Sequence, residues 1–114
     1  NKRLSKDSVD YWTKDRSIIM LRKNNNPIGF IIYKINNRYN YGYISYLVID
    51  TKHQAKGYGY GLMQHVINKV QSLGCKDISL CVVDGNDKAI GLYKKLGFKE
   101  ISKGEFKLQL APAR

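Results

Sequence analysis

A chain of 114 residues carries one ordinary domain, and its 43% hydrophobic and 25% charged residues are enough for a packed core, which argues against disorder. No apolar run approaches the roughly 18 residues of a membrane span, and no apolar stretch follows the polar start Asn1–Asp7 to make a signal peptide. Twenty Lys and Arg against nine Asp and Glu give a net charge of +11 spread along the chain; this favours an anionic partner, without choosing between nucleic acid and a small phosphorylated molecule.

Residues 1–15 are polar with scattered apolar positions (Leu4, Val9, Trp12) and read as a helix end and a loop. Ser17–Arg22 and Ile28–Ile35 are β-rich and flank the turn composition Asn24-Asn25-Asn26-Pro27, which predicts a hairpin. After a polar connection over 36–40, Tyr43–Ile49 reads as a third strand. Asp50–Gly59 is a polar loop bearing glycine. Beyond it Leu62, Met63, Val66, Ile67, Val70 and Leu73 form one helical stripe, with Gly74 as its stop.

Ile78–Val83 is almost unbroken in apolar character, as in a strand buried on both faces of a parallel sheet, and Cys81 reads as core. Asn86 can cap a second helix with the stripe Ala89, Ile90, Tyr93 and Leu96, stopped at Gly97. Phe98–Ile101 and Phe106–Leu110 predict a last hairpin around Lys103-Gly104. The order β-β-β-α-β-α-β-β gives a mixed α/β sheet in which strands 43–49 and 78–83 run parallel through a right-handed crossover. Two cysteines, Cys75 and Cys81, with no histidine beside them make a poor zinc site, so no metal is expected and both read as reduced thiols.

Two segments carry chemistry. Gly57 and Gly59 lie between a strand and a helix start, where exposed backbone N–H groups and the helix dipole make an anion site to which Lys56 adds charge. The string G-x-x-x-x-G-K-[ST] is absent. A G-x-G-x-x-G register beginning at Gly57 would need glycine where Leu62 stands, so both common nucleotide loops are excluded.

Instead, Gln54-Ala55-Lys56-Gly57-Tyr58-Gly59 resembles the [QR]-x-x-G-x-[GA] loop of the GNAT acetyltransferase superfamily, most closely its histone and lysine acetyltransferase branch. Asn86, Ala89, Ile90, Tyr93, Lys95, Gly97 and Phe98 fill every fixed position of its second signature, N-x-x-A-[IL]-x-x-[YF]-x-K-x-G-F. Each of these positions also has a plain reading as cap, core or helix stop. The resemblance spans about residues 17–110, the expected cofactor-binding core of a single 1–114 domain.

The resemblance implies a mixed, mostly antiparallel sheet with a splayed parallel pair, flanked by helices, and with the first strand and helix of the usual fold absent from 1–15. It implies acetyl-CoA as cosubstrate and direct transfer of its acetyl group to a primary amine of a small molecule or protein. Cofactor contacts then fall on Leu47, Val48, Ile49, Gln54, Ala55, Lys56, Gly57, Tyr58, Gly59, Tyr60, Asn86, Ala89 and Tyr93, with Tyr93 also the catalytic donor to the departing thiolate. Where the lysine acetyltransferase branch carries a glutamate base, this chain has Tyr43. Asp84 and Glu105 are the other base candidates, with turn roles as their plain readings. His53 reads as a solvated loop residue and His65 as surface.

A coenzyme A-binding protein without catalysis and a basic nucleic-acid module, drawing on nine tyrosines, are the competing readings. The expected setting is cytoplasmic, with no membrane partner, nucleic acid disfavoured and a homodimer allowed. The basic surface mildly disfavours cationic acceptors.

Overall fold

The computed structural model describes residues 9–14, 17–83 and 85–112. In chain order the elements are β1 (Val9–Lys14), β2 (Ile18–Lys23), β3 (Asn26–Asn36), β4 (Tyr41–Ile49), a 3-10 turn (Thr51–His53), α1 (Tyr58–Ser72), β5 (Asp77–Cys81), α2 (Asp87–Lys95), β6 (Lys99–Ser102) and β7 (Glu105–Gln109). The strands form one seven-stranded sheet ordered β1-β2-β3-β4-β5-β7-β6, antiparallel everywhere except between β4 and β5. Residues 9–14 are therefore a strand, not the expected helix end and loop. Val9, Tyr11 and Thr13 alternate with Asp10 and Trp12, a period that suits an edge strand. Arg22 Nε donates to Asp10 Oδ1 at 3.0 Å and locks the pairing of β1 with β2. The expectation that the first strand is missing fails for the same reason, since β1 occupies that edge.

Local chemistry sets the turns. Lys23 pairs with Asn26, leaving Asn24 and Asn25 as a two-residue loop with φ of +51° and +69°. Asparagine tolerates that left-handed region, and such a turn matches the twist of the strands it joins. Both helices end alike: Cys75 N–H donates to Val70 O and Gly74 N–H to Gln71 O, while Phe98 N–H donates to Tyr93 O and Gly97 N–H to Lys94 O. These paired bonds satisfy the last carbonyls of each helix.

The core lies on one face of the sheet. Ile19, Leu21, Ile31, Tyr33, Ile44, Ile78, Leu80 and Phe106 point to that face and pack with Leu62, Met63, Val66 and Val70 of α1 and with Tyr93 and Phe98. No helix covers the other face among the described residues, and there Trp12 and Tyr46 are 43% and 64% exposed. This corrects the reading of 78–83 as buried on both faces. Only Ile78 and Leu80 of β5 are buried, and Cys81, expected in the core, is exposed.

One irregularity positions the site. Ile32 pairs with Tyr46 but Tyr33 pairs with Ile44, so Ser45 is an extra residue in β4. Such a bulge reverses which side chains face the core and increases the local twist. Before it Gly42 and Ile44 face the helices; after it Leu47 and Ile49 do. Pairing of β4 with β5 covers Tyr41–Ile44 against Asp77–Leu80 and then stops. Past that point β4 runs on to Ile49 without β5 as a partner.

Candidate cofactor cleft and reaction site

The loop after β4 is built to leave a helix start bare. Asp50 N–H donates to Ile28 O at 2.7 Å, and Gln54 Nε2 donates to Ile49 O at 3.0 Å, tying the loop back to the strand end. His53 Nδ1 lies 3.0 Å from Asp50 Oδ2. Ala55 takes φ +61° and Gly57, the N-cap of α1, takes φ +88°. Gly57 accepts the first bond of the helix, from Gly61 N–H at 3.1 Å, and no side chain caps that end. The N–H groups of Tyr58, Gly59 and Tyr60 are thus left without helical partners by the geometry of a helix start, at the positive end of its dipole.

The second signature faces this loop. Asn86 Oδ1 accepts from Ala89 N–H at 3.3 Å and starts α2. Tyr93 is only 8% exposed and its ring centre lies 5.8 Å from that of Phe98. Burial pushes its phenol pKa above the ordinary value. Between β4, the loop and the starts of α1 and α2 lies a cleft of about 560 Å³. That volume is in the range of small-molecule sites, roughly 300–1,000 Å³.

Ten expected cofactor positions line the cleft: Leu47, Ile49, Gln54, Ala55, Gly57, Gly59, Tyr60, Asn86, Ala89 and Tyr93. Three do not. Val48 is exposed on the opposite face because the Ser45 bulge sets the alternation. Lys56 is exposed beside the cleft. Tyr58 turns toward His53 and Lys23. The residues that sequence reasoning missed are His53, Lys88, Gly91, Leu92 and Lys95. Four of these lie on α2 at helical spacing from one another, a pattern hidden by the more obvious apolar stripe. Lys88 and Lys95 bring positive charge to a cleft that also holds the bare α1 start, and this combination fits the phosphates of a nucleotide-bearing cofactor.

On the open face, Tyr43, Cys81 and Glu105 lie near the point where the pairing of β4 with β5 ends. Cys81 pairs with Glu105, and Tyr43 lies across from Ser79 two residues earlier in β5. The neighbouring Cys81 thiol, then burial, then the charges of Cys81 and Glu105 push the Tyr43 phenol pKa up. Glu105 accepts from Ser102 Oγ at 2.8 Å. Asp84, the other base candidate, lies outside the described residues. His65 is not a plain surface residue: it stacks on Tyr11 with ring centres 4.3 Å apart. No cluster of histidine, cysteine, aspartate or glutamate is arranged to hold a metal among the described residues, and no helix there is long and apolar enough to cross a membrane.

Comparison with known proteins places this architecture. The chain is 32% identical over 77 residues to N-alpha-acetyltransferase 30 of Saccharomyces cerevisiae, covering 65% of this chain and 44% of that protein. It is 33% identical over 85 residues to a histone acetyltransferase of Oryza sativa subsp. japonica, covering 74% of this chain and 16% of that protein. The crystal structure of the ribosomal-protein-S18-alanine N-acetyltransferase from Escherichia coli superposes with a TM-score of 0.78 at 22% identity, over 90% of this chain and 74% of that one, and shows a shared fold. The chain spans between 36% and 44% of the length of the first curated relatives it matches. These relatives act on different acceptors, and no single branch is favoured. The sequence profile of the acetyltransferase (GNAT) family matches residues 2–98, so the chain belongs to that family.

Proposed function

We propose that this chain transfers an acetyl group from acetyl-CoA to a primary amine. The observation that carries the reading is that both signature segments line one cleft, the bare start of α1 and Tyr93 of α2, together with the unpaired end of β4 at Leu47 and Ile49. In this reading the N–H groups of Tyr58, Gly59 and Tyr60, with Lys56, Lys88 and Lys95, hold the cofactor phosphates. Leu47 and Ile49 line its acyl arm, and the β4 edge left without β5 is free to hydrogen-bond it. The amine enters from the open face, past Tyr43 and Glu105.

Attack on the thioester requires a neutral amine. For a lysine-like amine at pH 7 that form lies about 4.6 kcal/mol uphill. Tyr43 is a poor base, because its surroundings hold the phenol protonated. In this reading Glu105, which pairs with Cys81 at the end of β5, takes the proton directly or through water. Tyr93 hydrogen-bonds the departing thiolate. The lysine acetyltransferase likeness of the loop is a weaker guide to the acceptor, since Tyr43 stands where that branch carries glutamate.

The test is release of free thiol from acetyl-CoA in the presence of polyamines, aminoglycosides, amino acids and lysine peptides. Thiol release that depends on one class of amine is the expected result. Cofactor binding without release across the panel would instead support a coenzyme A-binding role without catalysis.

A further inference from the structure

The open face of the sheet carries a feature that the cofactor cleft does not use. Lys34 pairs with Tyr43, Tyr43 with Ser79, Ser79 with Lys107 and Lys107 with Lys99. Direct partners put their side chains on the same face, at strand spacings of about 4.8 Å. A single row of side chains therefore crosses five strands in the order Lys34, Tyr43, Ser79, Lys107, Lys99. Lys34 and Lys99 are exposed and Lys107 is half-buried. None of the three makes an ion pair among the described residues. Lys107 and Lys99 stand directly opposite one another, an arrangement that costs stability in a sheet when no anion lies between them.

The row runs beside the point where the pairing of β4 with β5 ends. One step along the strands toward that end are Cys81 and Glu105; one step away are Tyr41 and Asp77. Each step is about 7 Å, two residues of strand. A second hollow of about 310 Å³, bordered by Lys34, Asn36, Tyr41 and Tyr43, adjoins the row. Thus the Glu105 carboxylate lies on the side where the proposed transfer puts the ammonium, and lysines lie one step behind it. The flanking Asp77 and Glu105 confine the basic strip to a single row. A nucleic-acid strand, with phosphates repeating along its length, would meet those carboxylates, whereas one isolated anion would not.

We infer that the acceptor is a primary amine carrying a carboxylate or phosphate a few bonds from its nitrogen, and that Lys107 and Lys34, with the Tyr43 and Ser79 hydroxyls, select it by holding that anion. This rests on the acetyl transfer proposed above and narrows its acceptor class.

Matched amines test it: phosphoethanolamine against ethanolamine, and β-alanine against β-alaninamide, in the thiol-release assay with the full chain. The anion-bearing member should show kcat/KM higher by roughly tenfold, carried mainly by KM. In Lys107→Gln that ratio should fall toward one, and Lys107→Arg should restore most of it. Equal rates within each pair, with thiol released, would overturn the inference and leave acetyl transfer standing. If no amine releases thiol, acetyl transfer itself fails. Direct binding then decides the anion row: phosphoethanolamine should bind the chain at least about tenfold more tightly than ethanolamine, and Lys107→Gln should abolish the difference. Equal binding, or binding of an oligonucleotide with a steep salt dependence in place of phosphoethanolamine, would overturn it.

Discussion

Replacing Tyr93 by Phe separates two ways in which a buried phenol could assist the leaving thiolate. Tyr93 is 8% exposed, lines the cleft and packs on Phe98, so phenylalanine keeps the ring contacts and removes only the hydroxyl. A free phenol near 10 gives its proton to a thiolate near 8.5 at a cost of about 2 kcal/mol. Burial raises the Tyr93 pKa further and makes that transfer harder. In the proposed role the hydroxyl would therefore act as a hydrogen-bond donor to the thiolate rather than as a full acid. A hydrogen bond to a charged acceptor is worth about 1.5–3 kcal/mol, which predicts a fall in kcat of roughly 10- to 150-fold. Because the charge develops only as the thioester breaks, kcat and kcat/KM should fall together while coenzyme A binding, measured by calorimetry, stays within about twofold. The raised pKa also means that Tyr93 ionisation should cause no loss of rate in the unsubstituted chain at neutral pH. A kcat loss smaller than about twofold would refute the role, and so would a loss matched by weaker coenzyme A binding.

Gly57→Ala should lower stability by about 1 kcal/mol in urea unfolding, because φ of +88° strains an L-residue while no atom within 4 Å would clash with its Cβ. The same variant should weaken coenzyme A binding as the helix start shifts to relieve strain; unchanged stability would remove the strain argument. Gly29→Ala should cost about 1–3 kcal/mol, since its Cβ would sit 2.8 Å from Val48 O and 2.7 Å from Ile49 Cδ1, and a backbone oxygen paired in the sheet cannot yield freely. A neutral result there would mean β4 is less fixed than its pairing suggests. Burial beneath Tyr11, and then the charge of Lys69, lower the His65 pKa. Its contribution to stability is therefore full above the unfolded value near 6.5 and lost as pH falls through the lowered folded value. His65→Gln should flatten that part of the stability profile, and an unchanged slope would assign it elsewhere. Glu105→Gln should reduce the rate most at neutral pH and least at high pH, where more of the amine is already neutral; a parallel shift of the whole profile would exclude Glu105 as the base.

The sequence alone determined what depends on neighbours along the chain. The apolar stripe at 62–73 marked α1. Asn86 marked the start of α2, Gly74 and Gly97 the two helix ends, and the turn at Asn24-Asn25 the first hairpin. The glycine register at 57–59 excluded two nucleotide loops, and the paired signatures pointed to the family. All of these are local: capping, periodicity and positive φ are fixed within a few residues.

Tertiary structure decided what depends on partners distant in sequence. Residues 9–14 became a strand only because β2 offers them an edge. Cys81 turned out exposed because strand identity does not reveal how many faces of a sheet are covered. Val48 left the cleft because Ser45 inserts a bulge that no periodicity announces. The row from Lys34 to Lys99 exists only through four strand registers, each set by long-range packing. The loop Gln54–Gly59 was legible from its own residues as a candidate for holding phosphate. What that loop faces, Lys88 and Lys95 across the cleft, and where the pairing of β4 with β5 ends came from the tertiary structure, because a strand pair that stops early leaves no local mark in the sequence.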